Sequence, residues 1–395
     1  MSFGKRGTPS ALTPVRALAQ GAKRADTAPA GRPNWPLATA ALTTILIVIF
    51  WFEEVFRLEP PTGTSFGLRD LVAFGGVGSY LVFHQGELWR LWTAPWLHAS
   101  FSHLLSNGVT LVVAGCNLEH LIGRSWLVAI FVLGALGGVI GSLTLSQSMV
   151  VGVGASGAIM CLVAVLFALS FHYEASAPAT RLRRTALFVL VTALLPSAAD
   201  SAVQVDIGAH TGGAMMGLVL GFLLLSLWPE TQSMPPQSRL VTYVAGTGLV
   251  AAAVSFLAIA ATYNAHAAQT ASLVPFADWP KSASDYSLRG ANLAAKYPRD
   301  PAIHWVKAMD LFDRKDYPGA EAQLRAGLDE QDMLATQFGP AVEQDMRMLL
   351  AQTLLRQRRV DEAKTTADAL CAVKRRDKAW KRDIATLKSA QICTG

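Results

Sequence analysis

Charge is what this 395-residue chain has least of. Asp, Glu, Lys and Arg make up 16% of it, against 52% hydrophobic residues. With a mean hydropathy of +0.33, that excludes an ordinary soluble protein, in which charged residues run near ~25%. Four cysteines are too few for a disulfide-built scaffold. A His-Glu-x-x-His run is missing, and His98 and His103 stand five apart, a poor fit to one helix face, so no zinc-protease ligand set is expected. No two aspartates share the middle of an apolar run; Asp200 and Asp206 lie near run ends, which excludes an aspartic mechanism. The net charge of +6 sits in tails and loops without basic–aromatic interleaving, so no nucleic-acid partner is expected. Gly152, Gly154 and Gly157 satisfy G-x-G-x-x-G, but they lie between two apolar runs rather than after a strand, so no dinucleotide is expected. The G-x-S-x-G elbow of soluble hydrolases fails as well, because Ala158 stands at its second glycine. Cofactor and metal are both expected to be absent.

What is present is long apolar runs, seven of them, each near the ~20 residues that cross a bilayer. They cover about 36–52, 101–118, 125–147, 153–171, 185–203, 207–228 and 240–263. Residues 1–35 are basic and rich in Ala, Pro, Thr and Gly, without the short apolar core of a signal peptide, and read as a disordered tail. The connection 57–97 is broken but aromatic, with Phe66, Phe74, Tyr80, Phe83, Trp89, Trp92 and Trp96, and is expected to lie in the membrane interface. Arg181, Arg183 and Arg184 are assigned to a loop before the fifth span, and Pro196 and Asp200 predict a kink inside it. That irregular span is the expected lateral entry gate. Basic residues of the tail, Arg124, the 181–184 cluster and Arg239 fall on one side of the spans, which predicts a cytoplasmic N-terminus and an exported C-terminal domain.

This topology brings three polar clusters to one depth. The second, fourth and sixth spans all begin at the outer face, and near their starts they carry His98, His103 and Asn107; Ser156; and His210. Each has a bland explanation in helix packing or interhelical hydrogen bonding. Their convergence points to chemistry, because polar groups inside a membrane are costly and usually functional. Ser156 opens an apolar helix, where free N–H groups and the dipole favour a developing anion. The glycines around His210, Gly208, Gly212, Gly213, Gly217 and Gly221, make a smooth face that lets the sixth span close on the fourth. His103 and Asn107, at i and i+4, share a face and supply hydrogen-bond donors.

Together, Gly154-Ala-Ser156-Gly157, Ala209-His210-x-Gly-Gly213-x-x-x-Gly217, His103-x-x-x-Asn107 and Trp89-Arg90 resemble the rhomboid intramembrane serine proteases, over about residues 36–228. The resemblance implies an all-α polytopic membrane fold with a six-helix core, and the seventh span is similar to the bacterial subgroup with one added helix. It implies that Ser156 is the nucleophile and His210 its general base. His103 and Asn107, with the Ser156 N–H, would bind the oxyanion. Trp89 and Arg90 would belong to a structured first loop, and Glu119 matches an acidic position of the family. The implied substrates are transmembrane segments of other proteins, cut within the lipid bilayer, and the implied location is a bacterial inner membrane. Small side chains at the cleaved bond are expected on the same ground. Water must reach the site, which calls for a polar cavity open to the outer face. The alternative is a non-catalytic adaptor that binds client transmembrane helices.

Beyond 229–263, a loop and the seventh span, residues 264–395 have the composition of a soluble helical domain. Ala308–Ala320 and Ala351–Ala363 align at an offset of 43 residues, each reading as helix, tight turn, helix, similar to tetratricopeptide repeats. The usual period is ~34, so the extra residues, around 327–340, are expected to lengthen a helix or loop. Such a domain would bind a protein partner. Cys371 and Cys393 fall in the exported part, where an oxidising compartment permits the disulfide expected between them.

Overall fold

A computed structural model describes residues 35–59, 65–146, 151–172, 177–194, 205–229, 232–275, 278–279, 283–338, 340–373 and 378–393. The chain divides into two compact units, Met1–Tyr263 and Asn264–Gly395. The described residues are helical, without strands, in an all-α polytopic membrane fold; two isolated bridges join Ser65 to Ser100 and Val77 to Gly152.

In the first unit the helices are α1 (Leu37–Val55), three short ones, α2 (Leu68–Ala73), α3 (Ser79–Phe83) and α4 (Arg90–Thr93), then α5 (Phe101–Ile122), α6 (Arg124–Leu145), α7 (Ser156–Leu169), α8 (Ala177–Leu194), α9 (Ile207–Leu227) and α10 (Arg239–Ala271). Five of them, α1, α5, α6, α9 and α10, are long and apolar enough to cross a membrane. The protein is an integral membrane protein.

Helix α7 is the centre of this unit. Its 14 residues span only ~21 Å at 1.5 Å per residue, less than the ~30 Å hydrocarbon layer. From Gly157 onward its residues are buried apart from Phe167, as expected of a helix apolar all round. Glycines let its neighbours reach it. An added Cβ on Gly138 of α6 would lie 2.8 Å from the Cα of Gly157, and one on Gly213 of α9 would collide with the Gly157 carbonyl. A Cβ on Gly217 would lie 2.7 Å from that of Ala164. Between helices in lipid, such backbone approach replaces the hydrophobic effect as the source of contact energy.

Three expectations need correction. The fifth helix begins at Ala177, eight residues before 185, so Arg181, Arg183 and Arg184 lie in the helix and not in a loop. Its first turn carries Pro178, tolerated there because the N–H it lacks has no helical acceptor. Arg183 has a job: it donates to Ser170 Oγ at 3.2 Å and to the Ser170 carbonyl at 3.1 Å, and lies over the Phe171 ring at 3.9 Å. Pro196 and Asp200 fall outside the described residues. The fourth span, expected over 153–171, is helical only over Ser156–Leu169. The seventh continues to Ala271, eight residues beyond 263.

The connection 57–97 folds into short helices and turns, with Phe66, Phe74 and Trp96 buried in the main core and Phe83 exposed. Arg90, fully buried, is its staple: its guanidinium donates to Glu87 at 2.6 Å and to the carbonyls of Val72 and Gly76 at 2.7 and 3.0 Å. It also stacks on Trp89 at 4.4 Å. Glu119 anchors the other end of the unit, accepting from the Ala38 and Thr39 N–H groups at 3.0 and 2.8 Å at the start of α1, where helix donors lack partners.

The second unit contains α11 (Ala283–Lys296), α12 (Pro301–Asp313), α13 (Tyr317–Asp329), α14 (Gln331–Gln337), α15 (Pro340–Arg356), α16 (Val360–Cys371) and α17 (Lys378–Ser389). Two hairpins, α12–α13 and α15–α16, occupy the two aligned sequence pieces. Their turns place Lys315 and Arg358, 43 positions apart, at φ 65° and 63°. Ala308, Ala320, Ala351 and Ala363 are all completely buried. The extra residues form a separate short helix, α14, instead of lengthening a neighbour. Cys371 and Cys393 are bridged, with Cα atoms 5.5 Å apart.

Candidate active site

Residues 151–155 lead into α7 as non-helical chain. That chain is pinned from the first loop. Val77 and Gly152 exchange N–H···O bonds of 2.9 and 2.7 Å, and the Gly154 N–H donates to the Ala94 carbonyl at 3.0 Å. Gly154 has φ +123°, in the region side chains avoid. A Cβ there would also lie 2.7 Å from His103 Cε1 and 2.8 Å from Nε2. Both constraints demand glycine two residues before Ser156.

Ser156 is the first residue of α7, so its N–H and those of Gly157 and Ala158 have no intrahelical acceptor. Helix α5 supplies the neighbouring donors. Ser100 caps it by accepting from the His103 N–H at 3.2 Å, and one turn in, the His103 and Asn107 side chains come up beside Gly154. Among the described residues, His103 Nδ1 and Asn107 Nδ2 are buried with no hydrogen-bond partner. An unpaired buried amide is costly, and Asn107 Nδ2 can donate to an acceptor that arrives later; the nitrogen that His103 turns toward Gly154 is Nε2. The His98 ring packs edge-on against His103 at 5.2 Å, and the His98 backbone N–H donates to Glu53 at 3.2 Å. His98 is fully buried, so it supports the site from behind.

His210 enters from the first turn of α9. The contacts of Gly157 with Gly213 and with the Ala209 carbonyl, 3.3 Å from a Cβ on Gly157, bring the starts of α7 and α9 together. His210 Nδ1 lies 2.8 Å from the Ala193 carbonyl in the last turn of α8. Ser156 and His210 are brought to the same end of adjacent helices, but no hydrogen bond joins them; among the described residues the Ser156 hydroxyl has no partner. Such bonds are often long before substrate is bound.

Asp206 was legible only as an outer-surface carboxylate, and its work is larger. It caps α9 by accepting from the Ala209 N–H at 2.9 Å, and it accepts from Ser146 Oγ at 2.6 Å and from Ser142 Oγ, tying the end of α6 to the start of α9. Asp206 and Ser142 form the polar side of a small cleft whose apolar side includes Val77, Pro95 and Val139, with the backbone of Gly154 and Gly157 at its rim. No cluster of metal-binding side chains occurs among the described residues.

Residues 85–227, which hold His103, Asn107, Ser156 and His210, match the family model of the Rhomboid domain. The rhomboid relative YdcA of Bacillus subtilis (strain 168) is 33% identical over 156 residues, 39% of this chain and 74% of the relative. The chain belongs to the rhomboid family. That family includes serine proteases: Rhomboid protease AarA of Providencia stuartii is 27% identical over 202 residues, covering 46% of this chain and 70% of AarA. RHOMBOID-like protein 5 of Arabidopsis thaliana is 36% identical over 143 residues, 36% of this chain. The chain spans a little under half the length of that plant relative, 45%. Gly213 and Gly217 of the rhomboid domain are contact points between α9 and α7, Arg90 staples the first loop, and Glu119 caps α1.

Proposed function

We propose that the chain is an intramembrane serine endopeptidase that cleaves transmembrane segments of membrane proteins. Ser156 attacks the peptide carbonyl, and His210 Nε2 takes its proton and later returns it to the leaving amine. The Ser156 N–H, His103 and Asn107 hold the oxyanion. Losing one such donor typically costs ~3–4 kcal/mol of barrier. The observation that carries this reading is the placing of His103 Nε2 and of Asn107 Nδ2, an amide with no hydrogen-bond partner among the described residues, beside the strained Gly154 that leads into Ser156. A substrate must unwind to offer its carbonyl there, which favours segments with helix-breaking residues near one end.

The same reading puts the N-terminus in the cytoplasm of a bacterial inner-membrane protein and the second unit outside, a placement supported by the Cys371–Cys393 bridge. Residues 1–35 are then a cytoplasmic tail, 36–228 the protease core, 229–263 a loop and added helix, and 264–395 a tetratricopeptide-like domain that binds a protein partner.

Purified protein in bilayers, incubated with a panel of transmembrane substrates, tests the function. Cleavage and fluorophosphonate labelling, both lost in Ser156→Ala, are the expected result. Client helices bound equally by wild type and Ser156→Ala, without cleavage or labelling, would replace the protease with an adaptor.

A further inference from the structure

We propose that the C-terminal end of α8 is the third member of the catalytic machinery, the Ala193 carbonyl acting as the positioning group that keeps the His210 proton on Nδ1. The inference rests on the proposed protease reading and adds to it the group that orients its base. A carbonyl oxygen can only accept, so the 2.8 Å contact with His210 Nδ1 requires the proton to be on that nitrogen. A neutral imidazole has one such proton, and Nε2 is left with a free lone pair, the form a general base needs.

The acceptor is well chosen for a second reason. It belongs to the backbone of α8, so the helix fixes its direction. When His210 takes the Ser156 proton, the imidazolium keeps this bond, now charge-assisted. That is the electrostatic task a buried carboxylate performs in a catalytic triad. The nearby carboxylate, Asp206, is committed elsewhere, accepting from Ala209 N, Ser146 and Ser142.

Helix α8 is tied at its other end by Arg183 to Ser170. Its last turn meets α9 through His210. Moving that turn away from α9 would free Nδ1, let the proton redistribute between the two nitrogens and slow the chemical step. The rate of cleavage therefore reports where the end of α8 lies.

The test replaces the amide between residues 193 and 194 by an ester in the full-length protein, which makes the Ala193 carbonyl a poorer acceptor. An ester between 192 and 193 is the control, with equal damage to the helix but an intact acceptor. On a transmembrane substrate the first ester should lower kcat about five- to tenfold with KM unchanged. The control should follow wild type. Nitrogen-15 spectra of Ser156→Ala, assigned by difference from His210→Asn, should show His210 protonated at Nδ1. Ser156-dependent cleavage with both esters behaving alike overturns the inference and leaves the protease standing. A dominant Nε2–H tautomer overturns it whether or not cleavage is seen.

Discussion

The two units of this chain are packed by different means. In the first, the central contacts are glycine against backbone: Gly138 on Gly157, Gly212 on Gly141, Gly213 on the Gly157 carbonyl. In the second they are side chains on side chains, with Ala308, Ala351 and Ala363 packed among Leu324, Leu354 and Leu387, all fully buried. The solvent explains the difference. In water each buried leucine contributes about 1.5–3 kcal/mol, so a helix needs only an apolar stripe. In lipid the surroundings are as apolar as leucine, and helices hold together by close approach and a few polar bonds. A site built on glycine contacts is accurate to fractions of an ångström and intolerant of a methyl group.

The sharpest way to break the comparison is Gly213→Leu. The side chain has nowhere to go but into the Gly157 carbonyl, so we expect about 3 kcal/mol of destabilisation and loss of fluorophosphonate labelling at Ser156. Val360→Leu at a half-exposed position of the second unit should change neither thermal unfolding nor labelling measurably. Next in size is the disulfide. Cys371→Ser opens a loop of 22 residues, which should cost the second unit about 3 kcal/mol, read as faster hydrogen exchange there with labelling unchanged. Gly154→Ala should follow. Its φ of +123° and the His103 ring both oppose a Cβ, so kcat should fall about 100-fold, one oxyanion donor's worth, with the protein still folded. Full activity in that variant would detach His103 from the site.

The smallest effect belongs to the water-facing unit. Glu321 accepts from Arg359 at 2.6 Å, Gln357 at 2.8 Å and Arg325 at 2.9 Å. Burial alone would raise its pKa, but these bonds outweigh it and hold the carboxyl below its ordinary value. A group lowered on folding contributes stability above its unfolded pKa and loses it as pH falls through the folded one. Acid should therefore loosen α13 and α16 more in wild type than in Glu321→Gln, measured by hydrogen exchange at neutral and acid pH. Because the group is near the surface, the difference should be modest.

Much of this was written in the chain in plain form. Seven apolar runs mark seven helices, and the Gly-rich face around His210 announces its close approach to α7. The 43-residue offset even anticipates the matched turns at Lys315 and Arg358. The misreadings share a cause. Arginines at 181–184 look like a loop when charge is taken as the end of a span, yet a membrane helix can start in the interface and use Arg183 to bind its neighbour's last turn. The core contribution of the aromatic connection goes unseen because its apolar residues have no period, and its fold turns on Arg90 gathering two carbonyls that lie 14 and 18 positions before it.

Residue types and spacing by themselves determined the membrane fold and the family, and they nominated the side chains proposed to carry chemistry, because bilayer thickness and helix pitch translate directly into sequence. Tertiary structure alone decided which backbone groups those side chains meet. The carbonyl of Ala193 on His210, the pinned strand before Ser156 and the cap supplied by Asp206 leave no mark in composition. Every residue carries the same carbonyl and amide, and only folding determines which of them are left unpaired and where they point.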